Sequence, residues 1–164
     1  MAYDVIQGTL QVDTLVPLAI TLPASCVYDT HIVAGAAIQY TKVGQKYQPR
    51  YAQSGSSAVV ADRAVIHVCR GSSGSVVSAR VGVTTAATGA ATTTVDVQKN
   101  GTTILSATVS VGTTAAYTLL APTISVSSLV AGDVLEVVVS GVAAGGGTLA
   151  KGVFAVLEIS ETPA

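Results

Sequence analysis

Apolar and polar side chains alternate at period two along most of this chain, and a period near 3.6 is almost nowhere sustained. Alternation places successive side chains on opposite faces of an extended strand, whereas an amphipathic helix needs apolar positions three and four apart. Residues that favour strands, above all Val and Thr, fill the alternating runs. The clearest unit is a hairpin, Thr92 to Lys99, then Asn100-Gly101, then Thr102 to Val111. Asn-Gly suits the two positive φ values of a type I′ turn, whose twist matches the flanking strands. Asn100 is the only Asn in the chain, so Asn100 and Gly101 are read as a structural turn. Asn100-Gly-Thr also has the form of a glycosylation sequon, but the turn explains the same residues.

Further strands are predicted on both sides of this hairpin. Ala64 to Arg70 and Ser75 to Val83 read as a second hairpin-like pair around Gly71-Ser-Ser-Gly74. Thr123 to Ser127 and Asp133 to Ser140 follow, separated by the turn Val130-Ala-Gly-Asp133. Gly141 to Gly147 is a loop of small residues, and Lys151 to Ser160 is the last strand. Roughly six or seven short strands between turn signals predict an all-β fold, an antiparallel β-sandwich over about 64–160. About 100 residues suffice to bury a core, here one of Val, Ala and Leu rather than aromatics.

Residues 1–60 have a different texture and are expected to form an extended, strand-containing docking segment or a small β domain, with the sandwich domain at 61–164. Five of the six tyrosines lie here, with Pro17, Pro23 and Pro49. Val5 to Asp13 and Leu15 to Leu22 read as extended, the second as an edge or irregular strand because of Pro17. Thr41 to Ser57 is polar and reads as a long loop or arm. Tyr and Arg are enriched at protein interfaces. Tyr3, Tyr28, Tyr40, Lys42, Lys46, Tyr47, Arg50 and Tyr51 are therefore the candidate interface residues.

Charge and composition narrow the function. The chain is 49% hydrophobic and only 10% charged, with net charge −1 and six basic residues but one acid, Asp62, between Lys42 and Arg80. Five acids against Lys99 and Lys151 follow from Asp96 to Glu161, a polarity able to steer one part of a subunit onto an oppositely charged surface. The cations are too few to predict a nucleic-acid partner. Mean hydropathy is +0.60, yet no apolar run approaches the roughly 18 to 20 residues of a spanning helix, so no membrane partner is expected. Met1-Ala-Tyr-Asp4 lacks the basic start and apolar block of a secretory leader.

Cys26 and Cys69 are too few for a disulfide framework and sit in apolar text, so inert buried thiols are expected ahead of a bond between them. His31 and His67 alternate with β-branched residues and read as half-buried strand positions rather than ligands. No catalytic motif occurs, and a spacing of three places Asp133 and Glu136 on opposite faces of a strand. Gly71 to Ser75 and Gly145 to Gly147 resemble phosphate loops in composition only, with no helical pattern behind them. Neither an enzyme, a metal nor a cofactor is expected.

Four stretches carry a resemblance: Gly74-Ser-Val-Val-Ser-Ala-Arg-Val81, Thr94-Val-Asp-Val-Gln-Lys-Asn-Gly-Thr-Thr-Ile-Leu105, Ala131-Gly-Asp-Val-Leu135 and Ala150-Lys-Gly-Val-Phe-Ala-Val-Leu157. Together they resemble a β-sandwich module of tailed-bacteriophage structural proteins, notably capsid decoration (cement) proteins and some fibre or tail components. In that module a hairpin with Lys-Asn-Gly-Thr is followed by Gly-Asp and a closing Lys-Gly-Leu strand, where this chain has Lys151-Gly-Val153. The resemblance runs from about Ala64 onward and leaves residues 1–60 unmatched. It implies a non-catalytic virion subunit on the capsid exterior, assembled in the bacterial cytoplasm. Its partners would be the major capsid protein and other copies of itself in a symmetric dimer or trimer. The alternative is a tail or fibre module recognising a host glycan or surface protein, for which aromatics are expected in loops such as 84–91 and 141–147. Those two loops contain only Ala, Gly, Thr and Val.

Overall fold

The computed structural model describes residues 5–6, 9–10 and 44–163. The chain divides into two compact units, Met1–Ala37 and Ile38–Ala164. In the first, β1 (Val5–Ile6) pairs antiparallel with β2 (Thr9–Leu10). Val5–Ile6 and Thr9–Leu10 therefore run in opposite directions.

The second unit holds two antiparallel sheets packed face to face, a β-sandwich with no helix among the described residues. One sheet is ordered β10 (Ser128–Val130), β6 (Ser73–Gly82), β12 (Phe154–Thr162), then β3 (Gln45–Tyr47) and β4 (Arg50–Ala52) side by side along β12. The other is ordered β5 (Asp62–Val68), β11 (Val134–Val142), β7 (Thr92–Lys99), with β8 (Thr102–Thr103) and β9 (Val109–Ser110) both on β7. Alternation does what the pattern predicts. Ala155, Leu157 and Ile159 of β12 and Leu135, Val137 and Val139 of β11 point inward and are buried. The core is aliphatic apart from Tyr51 and Cys69.

The hairpin turn forms as predicted, with Asn100 at φ 50° and Gly101 at φ 80°. Its second strand is not continuous: Ile104 still bonds the Val97 carbonyl through its amide, but Leu105 leaves the ladder and bridges Ile124, with Ile104 and Leu105 both buried in the core. That bridge is all the ladder pairing Thr123–Ser127 shows, and from Ser128 the chain pairs instead with β6 of the other sheet.

Two expectations are corrected. Residues 64–70 and 75–83 do not form a hairpin: β5 pairs with β11 and β6 with β12, in different sheets. The connection crosses the sandwich because the Gly71 amide bonds the Glu161 carboxylate and the Ser72 amide bonds the Thr162 carbonyl, tying it to the end of β12. Of the long loop or arm expected over Thr41–Ser57, Gln45–Tyr47 and Arg50–Ala52 form an edge strand instead, while residues 53–57 are loop and turn. β3 and β4 share one register on β12 (Tyr47 opposite Ile159, Arg50 opposite Val156), and the Pro49 carbonyl accepts from the Leu157 amide between them. Proline lacks an amide hydrogen and is tolerated in such a position only at a sheet edge. The boundary expected at residue 60 thus falls inside the compact unit, whose core includes Tyr51 and Val59.

The outer face of the first sheet has one tight point. A Cβ on Gly82 would lie 2.7 Å from Phe154 Cζ and 2.9 Å from the Thr118 carbonyl oxygen. Gly82→Ala is expected to cost about 1–3 kcal/mol through overpacking, read as a lower urea midpoint. An unchanged midpoint would mean that Phe154 does not lie across the glycine.

Candidate functional site

Of the candidate interface residues, Tyr3, Tyr28, Tyr40 and Lys42 lie outside the described residues, as do Cys26 and His31. The other four lie on β3 and β4, and alternation sorts them. Lys46 and Arg50, opposite Ser160 and Val156, point outward and are exposed. Tyr47 and Tyr51, opposite Ile159 and Ala155, point into the sandwich. Tyr51 is buried, so it is a core residue and not an interface residue. Its hydroxyl donates to Asp62 Oδ2 at 2.7 Å and accepts from Gln53 Nε2 at 2.7 Å. Burial, then the Asp62 carboxylate, pushes the phenol up to about 12, so it remains a neutral donor at physiological pH.

Outward, the register assembles a row that no local pattern announced. Val156 stands between Arg50 on one neighbouring strand and Arg80 on the other. Neither arginine has a carboxylate within 4 Å among the described residues, and both are exposed. Directly opposed side chains on a sheet sit about 5 Å apart, so the row is a continuous strip of two guanidinium groups around an apolar centre. The next row is Ala52, Phe154 and Gly82. Beyond it Leu119, 55% exposed, neighbours the Leu120 that bridges Val81. On the other side Lys46 reaches Glu158 at 3.9 Å. Lys46, Arg50 and Arg80 against Glu158 leave this face basic, while the outer face of the second sheet carries Asp96 and Glu136 against Arg63.

The separation of basic and acidic residues along the chain does not survive folding. Arg63 pairs with Glu136 at 2.8 Å, Lys46 with Glu158, and His67 Nε2 with Glu161 Oε1 at 2.5 Å. Antiparallel pairing lays the basic stretch along the acidic one, and on the outer face of the first sheet the arginine row remains for a partner.

His67, half-buried as predicted, sits at an open side of the sandwich in a cleft of about 310 Å³ lined by Tyr47, His67, Val68, Arg70 and Glu161. The Tyr47 ring centroid is 5.2 Å from that of His67, and the Tyr47 hydroxyl bonds Gln45 Oε1. Glu161 is 2% exposed, and its Oε2 accepts from the Arg70 and Gly71 amides at 3.2 and 2.9 Å. Burial alone would raise its pKa, but the His67 bond and the two amides prevail and hold it below the usual carboxylate range. Cys69 is a free, buried thiol whose Sγ faces the Gly71 carbonyl at 3.8 Å. Burial and the nearby Glu161 charge push this thiol up, the opposite of what a thiolate nucleophile needs. The His–Glu pair therefore joins the two sheets, and its carboxylate is spent on three donors. Among the described residues no group of three His, Cys, Asp or Glu is placed to hold a metal ion.

Asp133 and Glu136, predicted on opposite faces, have separate roles. Glu136 holds Arg63, while Asp133 caps the turn by accepting from the Val130 amide at 2.9 Å and Asn100 Nδ2 at 2.7 Å. The Val130 amide outweighs burial and, with Asn100 and Lys99, holds the Asp133 carboxyl low.

No protein-family model matches this chain, and no curated protein matches it.

Proposed function

We propose that the chain is a non-enzymatic virion structural protein, a decoration subunit that binds the outer surface of an icosahedral phage head and stabilises it. Its partners are the major capsid protein and other copies of itself. The observation that carries this reading is the strip Arg50–Val156–Arg80 beside Phe154. Arginine and aromatic residues around a small apolar centre are the usual makings of a protein-binding hot spot. The sheet beneath them is a rigid platform that needs no reordering on docking. The four sequence stretches resembling the phage module lie in this sandwich and support the same reading.

Purified protein is expected to co-sediment with emptied heads of its phage at micromolar concentration and to raise their resistance to heat. Reversing both charges, Arg50→Glu with Arg80→Glu, leaves the unfolding midpoint near wild type because both side chains are exposed. The same pair is expected to weaken head binding at least about 30-fold. No head binding by wild type would refute the reading, and equal binding by the double variant would move the docking surface elsewhere.

One observation favours the tail or fibre alternative. Tyr117 is 75% exposed at φ 61°, its amide bonded to the Val83 carbonyl, in a loop tied to 84–91 by the Ala87 amide on the Gly112 carbonyl. It is the exposed aromatic that loops 84–91 and 141–147 lack. Binding of neutral oligosaccharides by the isolated protein, lost in Tyr117→Ala, would favour that alternative.

A further inference from the structure

The four sheet edges of the sandwich are not protected alike. Native sheets blunt their edges with short strands, proline, charged side chains or bulges, because an open edge offers unpaired backbone groups to any extended chain. On the first sheet, β3–β4 carries Lys46, Pro49 and Arg50, and β10 is three residues long. On the second sheet, β8 and β9 are two residues each. The remaining edge, β5, runs seven residues, Asp62–Val68, and among the described residues β11 alone pairs with it. It has no proline, and its one lysine or arginine, Arg63, is drawn sideways onto Glu136 at 2.8 Å. Besides Asp62 and Arg63 at its start, it shows to solvent Val65 at 59% and Val68 at 43% exposure, with Val60 at 68% just before it. Its guards are the two charges at its start, Asp62 and Arg63, and the register shift opposite Leu135/Glu136, which leave the stretch from Ala64 to Val68 without a charged lysine, arginine or carboxylate.

We propose that β5 pairs with β5 of a second copy across a two-fold axis, joining the two five-stranded sheets into one of ten. A two-fold makes the interface self-complementary and lets a single exposed strand serve both sides. The ends of the strand fit that symmetry. Asp62 opens β5 and Arg70 lies just beyond its close, without a carboxylate partner among the described residues. Antiparallel pairing carries the acidic end of each copy toward the basic end of the other, while Val65 lies near the axis. The docking strip of the first sheet stays uncovered, so a dimer would present two such strips. This pairing gives the proposed self-association its surface, and head binding is scored separately so that the two readings fail independently.

Sedimentation equilibrium of the full chain is expected to give a dimer at about 100 μM. Val65→Lys guards the edge with two like charges near the axis and should raise the dimer dissociation constant at least about 30-fold, while Val65→Thr should leave it within a few-fold. Val65 is exposed, so the urea midpoints of both variants should match wild type. Should a variant fold poorly, hydrogen exchange on wild type remains decisive: amides of residues 62–68 gain protection as concentration rises, and those of β10 do not. A monomeric wild type at that concentration, a Val65→Lys dimer as tight as wild type, or exchange at 62–68 independent of concentration would each overturn the proposal.

Discussion

Glu161→Ala is expected to cost the fold about 3–5 kcal/mol in urea unfolding, more than the loss of an ordinary surface ion pair by several-fold. The reason is what the alanine leaves behind. The amides of Arg70 and Gly71 and the ring of His67 all turn on this one buried carboxylate. Each would lose its partner, the Gly71 amide in a buried position and the other two at the wall of the cleft. Glu161→Gln keeps an acceptor for one or two of these groups and should cost less, about 1–3 kcal/mol. The sign of the pH dependence follows from the depressed carboxyl. Its stabilisation is complete above the unfolded glutamate value of about 4.3 and is lost as pH falls through the lower folded value. Wild type should therefore lose stability below about pH 4 more steeply than Glu161→Gln does. A cost under about 1 kcal/mol for the alanine variant would mean that the seam between sheets does not depend on this carboxylate.

The second large effect is expected at the same end of the sandwich, where the Asp133 carbonyl accepts from the Cys69 amide and Asp133→Ala should cost about 2–4 kcal/mol. Its carboxylate accepts from the Val130 amide and the Asn100 side chain, and Lys99 Nζ lies 3.5 Å away. Asn100 in turn accepts from the Val134 amide at 2.9 Å, so one carboxylate fastens the chain reversal at Gly132 to the type I′ turn. Asn100→Asp keeps a residue that tolerates positive φ but sets two carboxylates against each other. It should be destabilised at neutral pH and partly recover as pH is lowered through the carboxylate range. Thermal melts of the two variants across pH would show both effects, and a wild-type melting point for Asp133→Ala would contradict the account.

These sites show where sequence reasoning reached and where it stopped. The Asn100-Gly101 turn was legible because two positive φ values demand particular residues, and demand them locally. Strands β6, β7, β11 and β12 were legible because each alternates over eight residues or more. Which sheet a strand joins is not a local property. Gly71-Ser-Ser-Gly74 has a hairpin's composition, and only the distant end of β12 sends it across the sandwich. Lys46 to Tyr51 resembled an arm because proline and cations interrupt its alternation, yet an edge strand tolerates both and is guarded by them. The same parity explains why Lys46 and Arg50 face outward while Tyr51 is buried. Arg80 and Val156, which complete the candidate strip, had no signal of their own. Nor did the pairing of His67 with Glu161, 94 residues further on. Register across β12 creates both.

The proposed role demands abundance. Quantitative mass spectrometry of purified virions, with the major capsid protein as the internal standard, measures it directly. The decoration reading predicts hundreds of copies per particle, in a fixed simple ratio to the shell protein and retained when tails are removed. A handful of copies that leave with the tail would contradict it.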